Sequence, residues 1–215
     1  MRFNYLKSLV LITGTTTLFL GGMSAASAYT IYTDRAAWEA ALSGSTIITD
    51  TFSNTIPSAQ SITLDSGIVS TNSSPPALPN SFNNNSVNIV TPGAYDNAVG
   101  GTTASATITW VFPSDVFAFG ADFISANLDR LTLTGNFDGT GDQSILVNNT
   151  IGGPDGFLGV IGTAKFSSIV FSSANSVLDS FAIDNASFAV PEPGTIALVL
   201  VGGLGLLSSR RVKRS

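Results

Sequence analysis

From Ala104 to Asp138 apolar side chains alternate with polar or small ones at a period of two, and this alternation constrains the fold more than any other feature. Ala106, Ile108, Trp110 and Phe112 alternate with Thr107, Thr109 and Val111. After Pro113-Ser114-Asp115, which reads as a turn, Phe117, Phe119 and Phe123 fall on one face, with Ala118, Gly120 and Asp122 on the other. Leu131, Leu133 and Phe137 then alternate with Thr132, Thr134 and Asn136. Successive side chains of a strand point to opposite faces. Each run is therefore a strand with one apolar face, as in an antiparallel sheet packed on one side.

The flanking sequence extends the pattern. Thr46–Phe52 and Ser61–Ser70 read as strands, as do short runs near 143–147, 156–161, 166–172 and 180–190. Gly-rich clusters such as Asp138-Gly139-Thr140-Gly141-Asp142 and Gly152-Gly153-Pro154-Asp155-Gly156 separate them. The Ser-, Asn- and Pro-rich stretch 71–86 is too poor in apolar residues to bury much and reads as an exposed connection. One short helix is expected: Asp34 is a good N-cap, the alanines after it favour helix, and Trp38 and Leu42 share a face. Eight or nine short strands with Gly-rich turns and no repeat predict a single all-β domain, an antiparallel sandwich over residues 29–189.

Charge is unevenly distributed. Between Tyr29 and Val190 only Arg35, Arg130 and Lys165 oppose thirteen carboxylates, a formal charge of −10. Such a surface repels phosphate backbones and argues against a nucleic-acid partner. The chain has no histidine and no cysteine. Disulfides, zinc hydrolase chemistry and Ser-His-Asp or Cys-His mechanisms are thereby excluded. Two carboxylates alone can hydrolyse a glycosidic bond. Only Glu39 among the thirteen is a glutamate, however, and no motif selects a pair, so the domain is expected not to be an enzyme.

The two ends differ from the domain. Residues 1–28 carry Arg2 and Lys7, an apolar run from Leu9 to Met23, and a small-residue site ending Ala26-Ser27-Ala28. This is the pattern of a signal peptide handled by the Sec translocase and signal peptidase, with cleavage before Tyr29. The alternative, a membrane anchor, needs roughly 20 apolar residues, more than this run provides. At the other end Pro191-Glu192-Pro193-Gly194 precedes an apolar segment, 196–207, and the basic cluster Arg210, Arg211, Lys213 and Arg214. As a helix the apolar segment is about 18 Å long, short of the ~30 Å hydrocarbon core unless flanking residues are included. Basic residues beyond it would remain cytoplasmic.

Motif, apolar run, basic end and position together make residues 190–215 resemble the PEP-CTERM sorting tail. The resemblance implies an exosortase-type peptidase as partner and removal of the tail near the motif. It also implies a Gram-negative host that makes exopolysaccharide. The protein would be tethered transiently to the inner membrane, then released to the cell surface or matrix. An ordinary single-pass anchor is the other reading of the same residues. The stretch Phe181-Ala182-Ile183-Asp184-Asn185-Ala186-Ser187-Phe188 is similar, more loosely, to the closing strand of jelly-roll carbohydrate-binding modules. That resemblance implies a jelly-roll-like sandwich and a structural calcium ion held by a closing-strand acid, which Asp184 matches, and an early-strand residue, for which Asp50 is a candidate; a solvated turn carboxylate is the other reading of Asp184.

Two further candidates come from the residues alone. Asp138 and Asp142, four apart with glycines between them, suit either a calcium loop or a hairpin turn. Tyr95-Asp96-Asn97, between Gly93 and Gly100-Gly101, pairs an aromatic with polar groups as sugar sites do, and equally suits ordinary packing. The expectation is a non-catalytic binding or structural module in contact with exopolysaccharide. The alternatives are a carboxylate- or metal-dependent hydrolase of surface glycans and a self-associating matrix protein.

Overall fold

A computed structural model describes residues 29–73, 88–100 and 106–191. The leader with Ala26 and Ala28, the motif residues Glu192, Pro193 and Gly194, the apolar segment and the basic end lie outside the described residues. In chain order the elements are β1 (Tyr29–Tyr32), α1 (Arg35–Ala41), β2 (Thr46–Asp50), β3 (Ile56–Ala59), β4 (Ser61–Thr63) and β5 (Val69–Asn72). There follow β6 (Asn88–Thr91), β7 (Ala94–Val99), β8 (Ile108–Ile124), β9 (Leu131–Gly135) and β10 (Gln143–Leu146). Helix α2 (Val147–Ile151), β11 (Gly156–Ser173) and β12 (Asp179–Val190) complete the domain. Among the described residues no helix is long and apolar enough to cross a membrane.

Strands β8 and β11, of 17 and 18 residues, are too long for one layer. A straight strand of that length would run about 55 Å. Instead Phe112 and Phe119, seven residues apart on β8, bring their ring centroids to 6.1 Å, and Trp110 and Phe119 to 6.0 Å. The strand folds over itself at Pro113, Ser114 and Asp115, all exposed. Pro113 has no N–H to give to a ladder, so the bend falls where a pairing donor is missing. Strand β11 turns alongside, with register shifts on both sides of Phe166.

The bend creates two antiparallel layers. The first runs β4, β5, the 108–112 half of β8, the 168–173 half of β11, β9 and β10. The second runs β1, the 156–161 half of β11, the 116–124 half of β8, β12 and β2; the first half of β12 also continues into β7, β6 and β3. The fold is an antiparallel β-sandwich with corners made by strands that change layer. Between the layers Trp110 meets Tyr95, Phe119 and Phe171 edge-on, at 5.1, 6.0 and 5.1 Å, and all four are fully buried. Edge-to-face packing suits the ring quadrupoles and adds to the burial itself.

The expected turn at 113–115 is thus a bend within one continuous strand. The Ser61–Ser70 stretch, read as a single strand, is the hairpin β4–β5, turned at Asp65-Ser66-Gly67 with Gly67 at φ +87°. Helix α2 was not expected at all, since its residues lack a period or an N-cap side-chain bond.

The small face of β8 is not left to water. Helix α1, capped by the Asp34 carboxylate accepting from the Ala37 N–H at 2.7 Å, lies across it. Trp38 is fully buried over Gly120 and Gly159, which face each other across the β8–β11 ladder. A Cβ on Gly159 would stand 2.5 Å from Trp38 Cδ1, and one on Gly120 2.7 Å from the Phe157 ring. The glycines therefore form the seat of the indole. Gly159→Ala is expected to destabilise the domain by about 1–3 kcal/mol through overpacking. Gly153→Ala, with nothing within 4 Å, should stay within about 0.5 kcal/mol. Urea midpoints at constant m-value measure both.

Candidate functional site

The acidic residues are for the most part built into the scaffold. Asp50, buried at the end of β2, accepts from the Phe52 N–H and the Ser66 N–H, both at 2.9 Å, and so ties the β2 exit to the β4–β5 turn. Asp184 accepts from the Asn185 N–H at 2.6 Å and stands opposite Asp122 in the β12–β8 register. The ladder shifts between Asp184 and Ser187, and Asn185 takes φ +48°, a bulge at the point where the apolar residues change face. Asp50 pairs in register with Ala186. Asp50 is thus committed to backbone donors at the turn, while Asp184 belongs to the bulge. Among the described residues no three His, Cys, Asp or Glu side chains gather as a metal site.

Beside the bulge lies a cluster that local spacing could not reveal. The Arg35 guanidinium pairs with Asp122 at 3.0 Å, donates to the Asn185 carbonyl at 2.9 Å and to Ser187 Oγ at 3.2 Å, and lies 4.6 Å above the Phe157 ring. Asn185 Nδ2 donates to Asp122 at 3.0 Å. The partners lie 87 to 152 residues from Arg35 in sequence. Arg35 fastens α1 to the sheet, and its charge is matched by Asp122.

Tyr95 and Asn97 correct a sequence expectation. They stand on β7, not in an exposed loop, and both are buried. The Tyr95 hydroxyl is within 2.9 Å of Ser70 Oγ and accepts from Asn97 Nδ2 at 2.9 Å; Asn72 Nδ2 donates to Asn97 Oδ1 at 3.2 Å. This satisfied network lies inside the sandwich, so the Tyr95 ring offers no platform to a sugar. Only Asp96, pointing the opposite way, is partly exposed. Burial pushes the Tyr95 hydroxyl up to about 12, partly offset by its bonds to Ser70 and Asn97 and by the nearby Trp110 indole N–H. Trp110 Nε1 itself falls short of hydrogen-bond geometry.

The 136–142 segment is the hairpin loop between β9 and β10. Asp138 Oδ1 accepts from the Thr140 N–H, the Thr140 hydroxyl and Gln143 Nε2, at 2.8, 2.7 and 2.6 Å, and these donors hold its carboxyl below the usual range. Asp142 instead lines a polar pocket of about 200 Å³ with Asp115, Asn136, Lys165, Ser167 and Ser168, over Phe166. This pocket sits at the bend of β8 and β11. Among the described residues the Asp115 and Asp142 carboxylates have no hydrogen bond or ion pair, in contrast to that of Asp138. Asp179, at the start of β12, is raised by burial, against the pull of Asn127 and Arg130.

No family model matches the chain, and no curated protein is similar to it. One solved structure, a mutant of a family 29 carbohydrate-binding module, is similar with a TM-score of 0.37 and 10% sequence identity, over 72% of this chain and 96% of that one. The likeness is too slight for any residue or property to be carried across.

The Tyr95 network makes a pH prediction. A hydroxyl whose pKa is higher folded than unfolded stabilises the fold fully below the unfolded value near 10, and that contribution is lost as pH rises toward 12. Its size is on the order of 2–3 kcal/mol. Denaturant midpoints between pH 9 and 12 should fall in the wild type and fall less in Tyr95→Phe.

Proposed function

We infer that the chain is an exported protein, sorted through its C-terminal tail, whose sandwich is a non-catalytic binding module in contact with exopolysaccharide. The observation that carries the sorting half is the placement of the two ends. Ala189 pairs with Ala118, Ala118 with Ile161, and Ile161 with Thr30, so one row crosses β12, β8, β11 and β1. Tyr29, where the signal peptide would end, and Val190, where the tail begins, therefore leave from the same end of the second layer. Three strand spacings, about 14 Å, separate them. Residues 191–195 span at most about 17 Å before the apolar segment begins. A folded domain can thus rest on the membrane with both tethers inserted, and cleavage at both would leave the last strand pairs intact.

Ten of the thirteen acidic residues of the mature domain hold turns, caps, the bulge or ion pairs, which favours a scaffold over a reaction centre. One observation favours the hydrolase alternative: Asp115 and Asp142 share the pocket with Lys165. Turnover of the host's polysaccharide that Asp142→Asn abolishes would establish that reading instead.

The test of the sorting half is the intact mass of the protein from its own host and from a host lacking the sorting peptidase. The expected species begins at Tyr29 and ends near Pro191, with the tail retained in the deficient host. Persistence of residues 196–215 in both hosts would contradict it and leave an ordinary anchor.

A further inference from the structure

The outward face of the first layer carries a rank of side chains that no sequence motif announces. The registers of β4–β5, β5–β8, β8–β11, β11–β9 and β9–β10 place Ser61, Thr71, Thr109, Val170, Thr134 and Ser144 in one line across six strands. A second line, Thr63, Val69, Val111 and Ser168, runs beside it, with Val69 and Val111 exposed at 37% and 44%. None of these ten positions is charged or aromatic, on a domain of formal charge −10. Hydroxyls pair across strands at both ends of the first line, Ser61 with Thr71 at 3.0 Å and Thr134 with Ser144 at 2.8 Å. Those pairs restrict rotamers before any ligand arrives, which lowers the ordering cost of binding.

We propose that this face is the binding surface for a neutral, flexible polysaccharide chain, an inference that rests on the glycan-binding reading above and assigns its site and ligand class. The argument is one of charge and hydrogen-bonding match. Each Ser or Thr hydroxyl has one donor and two acceptor positions, the same inventory as a sugar hydroxyl. Neither line holds a charged side chain, and where the second line ends at Ser168 the bordering charges are Asp115, Asp142 and Lys165, two carboxylates to one cation, which disfavours an anionic polymer. The rank spans about 24 Å, enough for several sugars. Sheet twist accumulates to about 100° over five strand steps, so a rigid crystalline surface would touch only part of the rank, whereas a flexible chain follows it. Without an aromatic ring no single sugar is stacked, and binding depends on many weak contacts. Polymers are therefore bound and short oligosaccharides are not.

Affinity gel electrophoresis of the processed protein from its host, in gels holding soluble hydroxyethylcellulose, dextran or alginate, tests this. Retardation is expected in at least one neutral gel, unchanged by 0.5 M salt, competed by polymer and not by the matching disaccharide. Thr71→Glu and Thr109→Glu should each reduce it at least tenfold, while Leu128→Glu, a new charge at an exposed position elsewhere, should not. Thermal unfolding checks that each variant is folded. Equal retardation of wild type and face variants would overturn this face and leave the glycan-binding reading standing. Retardation only by alginate would overturn the neutral ligand class. No retardation in any gel, or self-association broken by Thr109→Glu without glycan binding, would overturn both.

Discussion

The structure depends on one constraint: β8 and β11 pair with each other on both sides of the bend and so contribute to both layers. A strand that folds over must bury what lies inside the fold, and here that is Phe112 against Phe119 and Trp110 against Phe119 and Phe171. The layers are joined by covalent chain and by aromatic packing at the same place. This matters in a chain without cysteine, where no disulfide closes the sandwich. Burial of large rings, together with the Ser70–Tyr95–Asn97 network inside, supplies what a disulfide-rich domain takes from cross-links.

The outside of each layer is used differently. The second layer is covered by α1, whose Trp38 sits on Gly120 and Gly159 and whose Arg35 pairs with Asp122, so that surface is occupied by the chain itself. The first layer presents two lines of hydroxyls and methyls, with Asp115, Asp142 and Lys165 only at its border by Ser168. Carboxylates, which carry most of the domain's net charge, are placed in turns, at the helix cap and around the bulge. The rank of Ser and Thr is thereby separated from the ends of the domain: it faces away from the core of the first layer, while Tyr29 and Val190 both lie on the second.

Much of the fold was legible in the alternation of 104–138, because a period of two has one structural meaning when it persists across several strands. Less legible was what covers each face. Gly120 and Gly159 look like weak strand residues locally, and only the position of Trp38, 82 and 121 residues away, explains them. Tyr95 left two readings open for a related reason: Asp96, Asn97 and the neighbouring glycines have the composition of a loop, while the hydroxyl's partner Ser70 lies on another strand. Pro113-Ser114-Asp115 has turn chemistry and does reverse the chain, but pairing with β11 resumes on its far side in a shifted register, which no local signal encodes. The hydroxyl rank arises from register across six strands and is invisible in any one of them.

Native-state hydrogen exchange along β8 measures the central constraint directly. If the bend makes both layers one cooperative unit, the amides of Trp110 and Phe119 exchange with the same opening free energy and the same dependence on denaturant. Protection of Phe119 that persists after Trp110 has exchanged would mean that the first layer opens alone, and the joined sandwich described here would be contradicted.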